Sequence, residues 1–333
     1  MSTGAVDTRL SDVAVIAIGR NEGERLRRCL QSVAGRPATL IYVDSGSTDG
    51  SMELARTRDA QVIELDTTRG FTAARARNAG FEGLGTARKD VLFVQFVDGD
   101  CEVERGWLAA ARDFLVARPD VAGVLGRRRE RFPDASVYNR LCDEEWNVPP
   151  GVVKSCGGDV MLRADAFEAV GGYRPDMIAG EEPELCVRLR QAGWKIVCLD
   201  EPMTIHDAAI TRFSQWWRRA IRSGHAYAEG AHLHGAPPER HSVAPSRRIW
   251  LWGAGIPAAT VATTLALGLP GLGVALVYPL QVARLYLRQR RKSAIPLQSS
   301  FFLVLGNIPE VIGQLRFHLN RVRRRATSII EYK

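Results

Sequence analysis

The stretch Val91-Leu92-Phe93-Val94-Gln95-Phe96-Val97-Asp98-Gly99-Asp100 decides the reading of this chain. Its apolar run is too short for a typical helix, and β-branched and aromatic residues dominate it. The pattern predicts a strand covered on both faces, as in a parallel sheet. Two aspartates one residue apart follow directly. Carboxylates beside a buried strand are costly unless they are paired or bound to a cation. Such oxygen ligands suit Mg2+ or Mn2+, with substrate phosphates completing the shell. Taken alone, the same three residues also read as a solvated turn.

Working outward, the same pattern recurs. Val13 to Ile18 is an apolar run ending at Gly19-Arg20-Asn21, and Leu40 to Val43 is another ending at Asp44-Ser45-Gly46. Leu26, Cys29, Leu30 and Val33 recur at helical spacing between them. Asp49 is placed to cap a helix. Gln61 to Leu65 reads as a third strand, Ala73 to Leu84 as a small-residue helix, and Trp107 to Leu115 as an amphipathic helix. Strands alternating with helices predict an α/β domain with a mostly parallel sheet. Ligands bind outside the carboxyl ends of the strands in such sheets. Three polar clusters at strand ends therefore predict one site.

Further on, Cys156-Gly157-Gly158-Asp159 and Gly171-Gly172-Tyr173 mark tight turns. Glu181-Glu182-Pro183-Glu184 opens a helix whose dipole favours acidic residues at its start. Lys195 to Leu199 reads as a last strand, followed by His206.

The chain has 333 residues, a net charge of +8 and six cysteines. The cysteines form no C-x-x-C pair, so they read as reduced, buried thiols. Residues 1–10 lack the apolar core of a signal peptide and read as a flexible tail. Much of the positive charge lies late, in Arg284, Arg288, Arg290, Arg291 and Lys292, and in Arg321, Arg323, Arg324 and Arg325. These runs flank apolar segments, which points to membrane headgroups, and no nucleic-acid-binding pattern is present. Trp250–Leu269 and Pro270–Leu287 read as two membrane helices in a hairpin, with basic flanks on the cytoplasmic side. The alternatives are a re-entrant or interfacial pair, or a buried hairpin used for dimerisation. Phe301 to Leu315 adds a possible interfacial helix.

Taken together, these motifs resemble a family 2 glycosyltransferase of the GT-A fold, a Rossmann-like mixed sheet. The residues carrying the resemblance are Val13 to Glu22, Ile41 to Gly50, Ala76-Arg77-Asn78-Ala79-Gly80, Phe96 to Asp100, Val170 to Tyr173, and Gly180 to Leu185 with Arg188. They span residues 11–210 in the family's order. The resemblance implies a catalytic domain over 11–240 and membrane-associated helices over 241–333, the latter comprising the hairpin at 250–287 and a basic tail. It implies a nucleotide-diphosphate sugar as donor. Asn21, Asp44, Ser45, Arg77, Asp98, Gly99 and Asp159 would line the donor site. Asp98, Asp100 and His206 would hold Mn2+ or Mg2+. The family's general base is the second carboxylate of a pair at a helix start, here Glu181-Glu182. Glu182 takes that place, with Glu181 as the alternative, and direct displacement implies inversion.

This chain departs from the pattern at several points. Ser45 stands where many members carry an acidic residue, so no particular nucleobase is implied. Cys101 replaces a frequent acidic residue. Gln215-Trp216-Trp217-Arg218-Arg219 is similar to the Q-x-x-R-W motif of processive synthases but lacks its final Trp. Trp216 and Trp217 could stack on an acceptor, sit at a membrane interface or pack in a core. The acceptor implied is a lipid-linked or cell-envelope glycan at the cytoplasmic face of the inner membrane. A processive polysaccharide synthase and a non-catalytic scaffold are the alternatives. A Rossmann oxidoreductase is excluded because G-x-G-x-x-G does not follow the first strand.

Overall fold

The structure, a computed structural model, describes residues 10–323. The rest of the expected tail and the basic residues Arg324 and Arg325 lie outside the described residues. The strands are β1 (Leu10–Gly19), β2 (Pro37–Asp44), β3 (Gln61–Glu64), β4 (Phe93–Asp98), β5 (Cys101–Val103), β6 (Val121–Glu130), β7 (Gly151–Val153), β8 (Val160–Arg163) and β9 (Lys195–His206). The helices are α1 (Glu24–Val33), α2 (Ser51–Arg56), α3 (Ala73–Glu82), α4 (Trp107–Ala117), α5 (Val137–Glu145), α6 (Ala164–Ala169) and α7 (Glu181–Gln191). They continue with α8 (Phe213–His234), α9 (Val243–Trp250), α10 (Ile256–Leu267), α11 (Val277–Gln289), α12 (Pro296–Leu305) and α13 (Asn307–Val322). The chain forms two compact units. One comprises residues 1–131, 145–177 and 181–208; the other comprises 132–144, 178–180 and 209–333.

The first unit holds one sheet in the order β3-β2-β1-β4-β8-β6-β9-β5, with β7 paired to β9. The β3-β2-β1-β4 half is parallel, as the strand–helix alternation predicts. Beyond β4 the sheet is mixed: β8 runs antiparallel to β4 and β6, while β6 and β9 pair in parallel. The strand read at 195–199 extends to His206, with register shifts against β6. The ten-residue strand Val121–Glu130 has no counterpart in the sequence analysis.

Burial explains the parallel half. Val13 to Ala17, Ile41 to Val43, and Val94, Phe96 and Val97 are essentially inaccessible. Gln95 is buried too, and its Oε1 accepts a hydrogen bond from the Trp107 indole N–H at 2.8 Å. That bond removes the penalty of an orphaned amide. The small residues of α3 permit close approach to β1. A Cβ at Gly80 would lie 2.3 Å from Ile16 Cγ2.

The second unit is helical. α8 and α13 cross where glycines remove side-chain bulk. A Cβ at Gly224 would lie 1.9 Å from the Glu310 carbonyl oxygen, and one at Gly313 2.0 Å from that of Ile221. Trp216 is buried, stacked on Tyr138 and edge-on to Phe302. Trp217 lies against Phe213. Gln215 caps α8, its Oε1 accepting from the Thr211 and Arg212 backbone N–H groups.

Among the described residues, one helix is long and apolar enough to cross a membrane: Val243–Leu267. The second apolar segment is broken. Leu269–Leu276 forms a tight 3-10 helix before α11 begins. This short helix packs back on α10. Thr263 Oγ1 donates to the Gly271 carbonyl at 2.9 Å, and a Cβ at Gly271 would meet the Thr263 backbone at 2.3 Å.

Candidate functional site

Three strand ends stand level at the carboxyl edge of the sheet. Gly19 pairs with Asp44, and Ile18 pairs with both Val43 and Asp98. The register of β1 against its two neighbours therefore brings Asn21, Asp44 and Asp98 to one edge. Asn21 adopts a left-handed φ of 55°, a conformation asparagine tolerates better than most residues. Its N–H donates to Ser47 Oγ at 2.9 Å, and its Oδ1 accepts from the Thr48 N–H at 2.7 Å. Asp44 is buried and accepts from the N–H groups of Gly46 and Ser47 at 2.9 and 2.7 Å, and from Tyr42 Oη at 3.0 Å. These bonds shape the loop on which Ser45 sits, itself buried.

Arg77, on α3, is 2% exposed and joins the two acidic groups of the site. Its Nη2 donates to Asp98 Oδ1 at 2.8 Å, and its Nη1 lies 3.1 Å from Oε1 of both Glu181 and Glu182. The helix carrying these glutamates is locked in place. Buried Glu184 accepts from Arg188 Nε at 2.9 Å, and Arg188 also donates to the Val170 carbonyl. Gly171 and Gly172 turn there with positive φ, and Asn78 exchanges two hydrogen bonds with the Tyr173 backbone. Arg188, Asn78 and the Gly-Gly-Tyr turn thus hold α3 and α7 in register. Burial, reinforced by Glu181 and opposed by Arg77, pushes the Glu182 carboxyl up to about 7.

Asp98 is held below the usual carboxylate range. Burial alone would raise it, but the guanidiniums of Arg77 and Arg128 outweigh that. Gly99 is buried, and a Cβ there would lie 3.1 Å from the Ile18 carbonyl. Asp159 supports the cluster from β8's side. Its Oδ1 accepts the Asp98 N–H at 3.1 Å; its Oδ2 accepts from Thr204 Oγ1 at 2.7 Å and pairs with Arg128 at 2.9 Å. Gly158 lets this loop approach closely, since a Cβ there would lie 2.4 Å from Arg77 Nη2 and 2.8 Å from Asp98 Oδ2.

Asp100 and His206 face one another across β5 and β9, where Cys101 and His206 are register partners. His206 Nε2 lies 3.2 Å from Asp100 Oδ1. His206 Nδ1 is buried without a hydrogen bond, with Glu130 Oε2 3.9 Å away. Trp146 stands edge-on to the His206 ring at 4.6 Å. Asp100, Cys101 and His206 bring one ligand atom each within 4.8 Å of one another; Asp98, Cys101 and Asp159 do the same. The Asp98 and Asp100 carboxylates fit Mn2+ or Mg2+, and an imidazole from His206 favours Mn2+ of the two. The Cys101 thiol does not fit, because burial pushes it well above its ordinary value. Glu130 stands on the side where metal-binding histidines usually carry an outer carboxylate, but at 3.9 Å it makes no hydrogen bond to Nδ1.

Arg128 escaped the sequence reading. It lies on the unread strand β6, within 3.9 Å of Asp98 and over the Trp146 ring. The apolar run from Val121 to Leu125 signals the strand; nothing in it signals that Arg128 turns into the site. All six cysteines are free and buried, as expected. Cys156 and Cys186 bring their sulfurs to 3.5 Å.

Residues 14–166 match the family described as Glycosyl transferase family 2. The succinoglycan biosynthesis protein ExoA of Rhizobium meliloti is 27% identical over 204 residues, covering 59% of this chain and 61% of that protein. An N-acetylglucosaminyl-diphospho-decaprenol L-rhamnosyltransferase of Mycobacterium tuberculosis is 24% identical over 269 residues, covering 62% of this chain and 87% of its own. Among solved structures, the mannosyltransferase PcManGT from Pyrobaculum calidifontis, in complex with GDP-Man and Mn2+, superposes with a TM-score of 0.60. That match covers 93% of this chain and 88% of the other at 22% identity, a likeness of fold. Residues 14–166 thus form a glycosyltransferase family 2 domain, and the chain shares the GT-A fold of that mannosyltransferase.

Proposed function

We propose that this protein is an inverting glycosyltransferase that moves a sugar from a nucleotide-diphosphate donor to a hydroxyl of a lipid-linked envelope glycan. The observation that carries the reading is the bridge through Arg77, which ties Asp98 on the donor side to Glu182 on the acceptor side. The Asn21 and Asp44 loops suit the nucleoside, and Arg77 and Arg128 suit the diphosphate. A divalent cation held by Asp100 and His206, with Asp98 beside them, would neutralise charge on the departing nucleoside diphosphate. The PcManGT complex with GDP-Man and Mn2+ supports that donor set.

Glu182 is the better base of the pair. It is the more exposed, with a side chain 16% accessible against 3% for Glu181. Its pKa near 7 also suits proton transfer at neutral pH. Glu182 would take the acceptor hydroxyl proton at a carboxylate oxygen as the hydroxyl oxygen attacks the anomeric carbon and the nucleoside diphosphate leaves. Attack from the face opposite the leaving diphosphate inverts the configuration.

For the membrane, a re-entrant arrangement of residues 250–287 fits better than a spanning hairpin. Among the described residues only Val243–Leu267 is long and apolar enough to span, and the return along α10 is the 3-10 helix Leu269–Leu276, with basic residues flanking the pair at Arg247, Arg248 and Arg284 to Lys292. We place residues 241–333 at the cytoplasmic face on that basis. The decaprenol-linked substrate in the rhamnosyltransferase's name supports a lipid-linked acceptor. The test is a thermal-shift screen against nucleotide sugars with Mn2+, followed by transfer to polyprenyl-diphosphate glycans. A ligand that binds only the folded state raises the melting temperature. No shift with any nucleotide sugar would overturn the reading.

A further inference from the structure

The helical unit contains a groove of about 890 Å³ that the transfer chemistry does not use. It runs between α10, α11 and α12, and Thr260, Tyr278, Val282, Ala283, Tyr286 and Phe301 lie along it. That volume falls within the ~300–1,000 Å³ typical of ligand sites. Of the three hydroxyls along it, those of Thr260 and Tyr278 are engaged within the helical unit. Thr260 Oγ1 donates to the Ile256 carbonyl, and Tyr278 Oη donates to the Trp252 carbonyl. An occupant therefore meets hydrocarbon and aromatic edges, which select an apolar chain.

One end of the groove is charged. On α11 the groove residues Pro279, Val282, Ala283 and Tyr286 recur at helical spacing. The next position on that face is Arg290, which keeps helical φ and ψ at the C-cap. Arg291 and Lys292 follow it, and all three are exposed. An apolar channel ending in cations complements a single chain with an anionic head.

We propose that this groove binds the isoprenoid chain of a polyprenyl phosphate or diphosphate, with its phosphate held by Arg290 and the adjoining Arg291 and Lys292. This rests on the lipid-linked acceptor of the proposed function and adds where its lipid part is held. One groove with one basic end suits a single-chain lipid. A two-chain glycerophospholipid would leave an acyl chain outside it.

The test uses the full chain in detergent micelles with a diazirine-bearing polyprenyl phosphate. Labelling should map to peptides of α11 and α12 and be displaced by unlabelled polyprenyl phosphate. Ala283→Trp, which fills the groove, should cut labelling at least tenfold. Leu280→Trp, on an exposed position of the same helix outside the groove, should leave it unchanged. Arg290→Glu should weaken labelling and flatten its dependence on salt. Equal displacement by phosphatidylglycerol, or full labelling of Ala283→Trp, would overturn the assignment. Donor binding, followed in parallel by thermal shift with Mn2+, separates the two readings. Donor binding without groove labelling sinks only the groove; groove labelling without donor binding sinks only the proposed function.

Discussion

Nη1 of Arg77 lies 3.1 Å from Oε1 of Glu182, so the most buried cation of the site faces a carboxyl that burial pushes up to about 7. The contact couples α3 to the start of α7. It also means that replacing Arg77 changes the protonation of Glu182, whose carboxyl the guanidinium holds down against burial.

Glu182→Gln should lower kcat by about 10²–10⁴-fold, the usual contribution of a general base. The donor dissociation constant should change little, because Gln keeps the shape and can still accept from Arg77. Glu181→Gln should retain most of the turnover. Single-turnover transfer and donor titration check this, and a dead Glu181→Gln beside an active Glu182→Gln would reverse the assignment.

The pH dependence follows from the same carboxyl. A base with a pKa of about 7 is protonated below neutrality, so kcat should rise with pH through about 7 and flatten above it. Stability should run the other way. A carboxyl whose pKa is higher folded than unfolded contributes stability fully below the unfolded value, near ~4.3, and loses it as pH rises through about 7. Glu182→Gln does not titrate there. Its melting temperature should match wild type below about pH 4 and exceed it near pH 8, by ~2–4 °C for each kcal/mol relieved.

Arg77→Met should destabilise the fold by roughly 3–5 kcal/mol, because Asp98, Glu181 and Glu182 would be left without their shared cation. Arg77→Lys should recover little of this, since one ammonium cannot reproduce the guanidinium's divergent donors. Urea unfolding measures both, and a loss under about 1 kcal/mol for Arg77→Met contradicts the bridge.

The metal reading predicts that Mn2+ raises the affinity for a nucleotide sugar in wild type and that Asp100→Ala removes the gain. His206→Ala, which removes a ligand, should weaken Mn2+ affinity by at least the ~10–100-fold that loss of an outer partner costs. Calorimetric titration of Mn2+, alone and with donor, reads this without turnover. Unchanged donor affinity under chelator would show that the cluster holds no cation.

Membrane engagement should follow the helical unit. The full chain should float with anionic liposomes, and raising salt should weaken the association as the Arg284 to Lys292 run is screened. Flotation indifferent to lipid charge would remove that run from the account.

Much of the parallel half was legible in the sequence. Val13–Ile18, Leu40–Val43 and Phe93–Val97 are apolar without interruption by charge, a pattern that only doubly covered strands sustain. The mixed half was harder. β6 starts as an apolar run but ends Arg127-Arg128-Arg129-Glu130, and β9 carries Asp200, Glu201 and Pro202 in its middle. Register shifts between β6 and β9 absorb these residues, and local pattern does not encode such shifts. The second apolar segment folds back where the sequence placed a hairpin turn, but it does so as the 3-10 helix Leu269–Leu276. Its composition suits a membrane helix, but Gly268 adopts a φ of 68° and Gly271 seats against the Thr263 backbone, folding the chain back.

The sequence by itself determined the sheet's parallel half, the acidic clusters at its strand ends and the family to which they belong. Those follow from short-range rules: which residues tolerate burial, and where a chain must turn. Only the tertiary structure decided how the carboxylates divide their work. Arg77 separates Glu182 from Asp98, Arg128 arrives from an unread strand to neutralise Asp159, and β9 delivers His206 to Asp100. Each depends on distances between residues far apart in the chain. Burial and a neighbouring charge, rather than residue type, set which carboxylate stays ionised and which can take a proton.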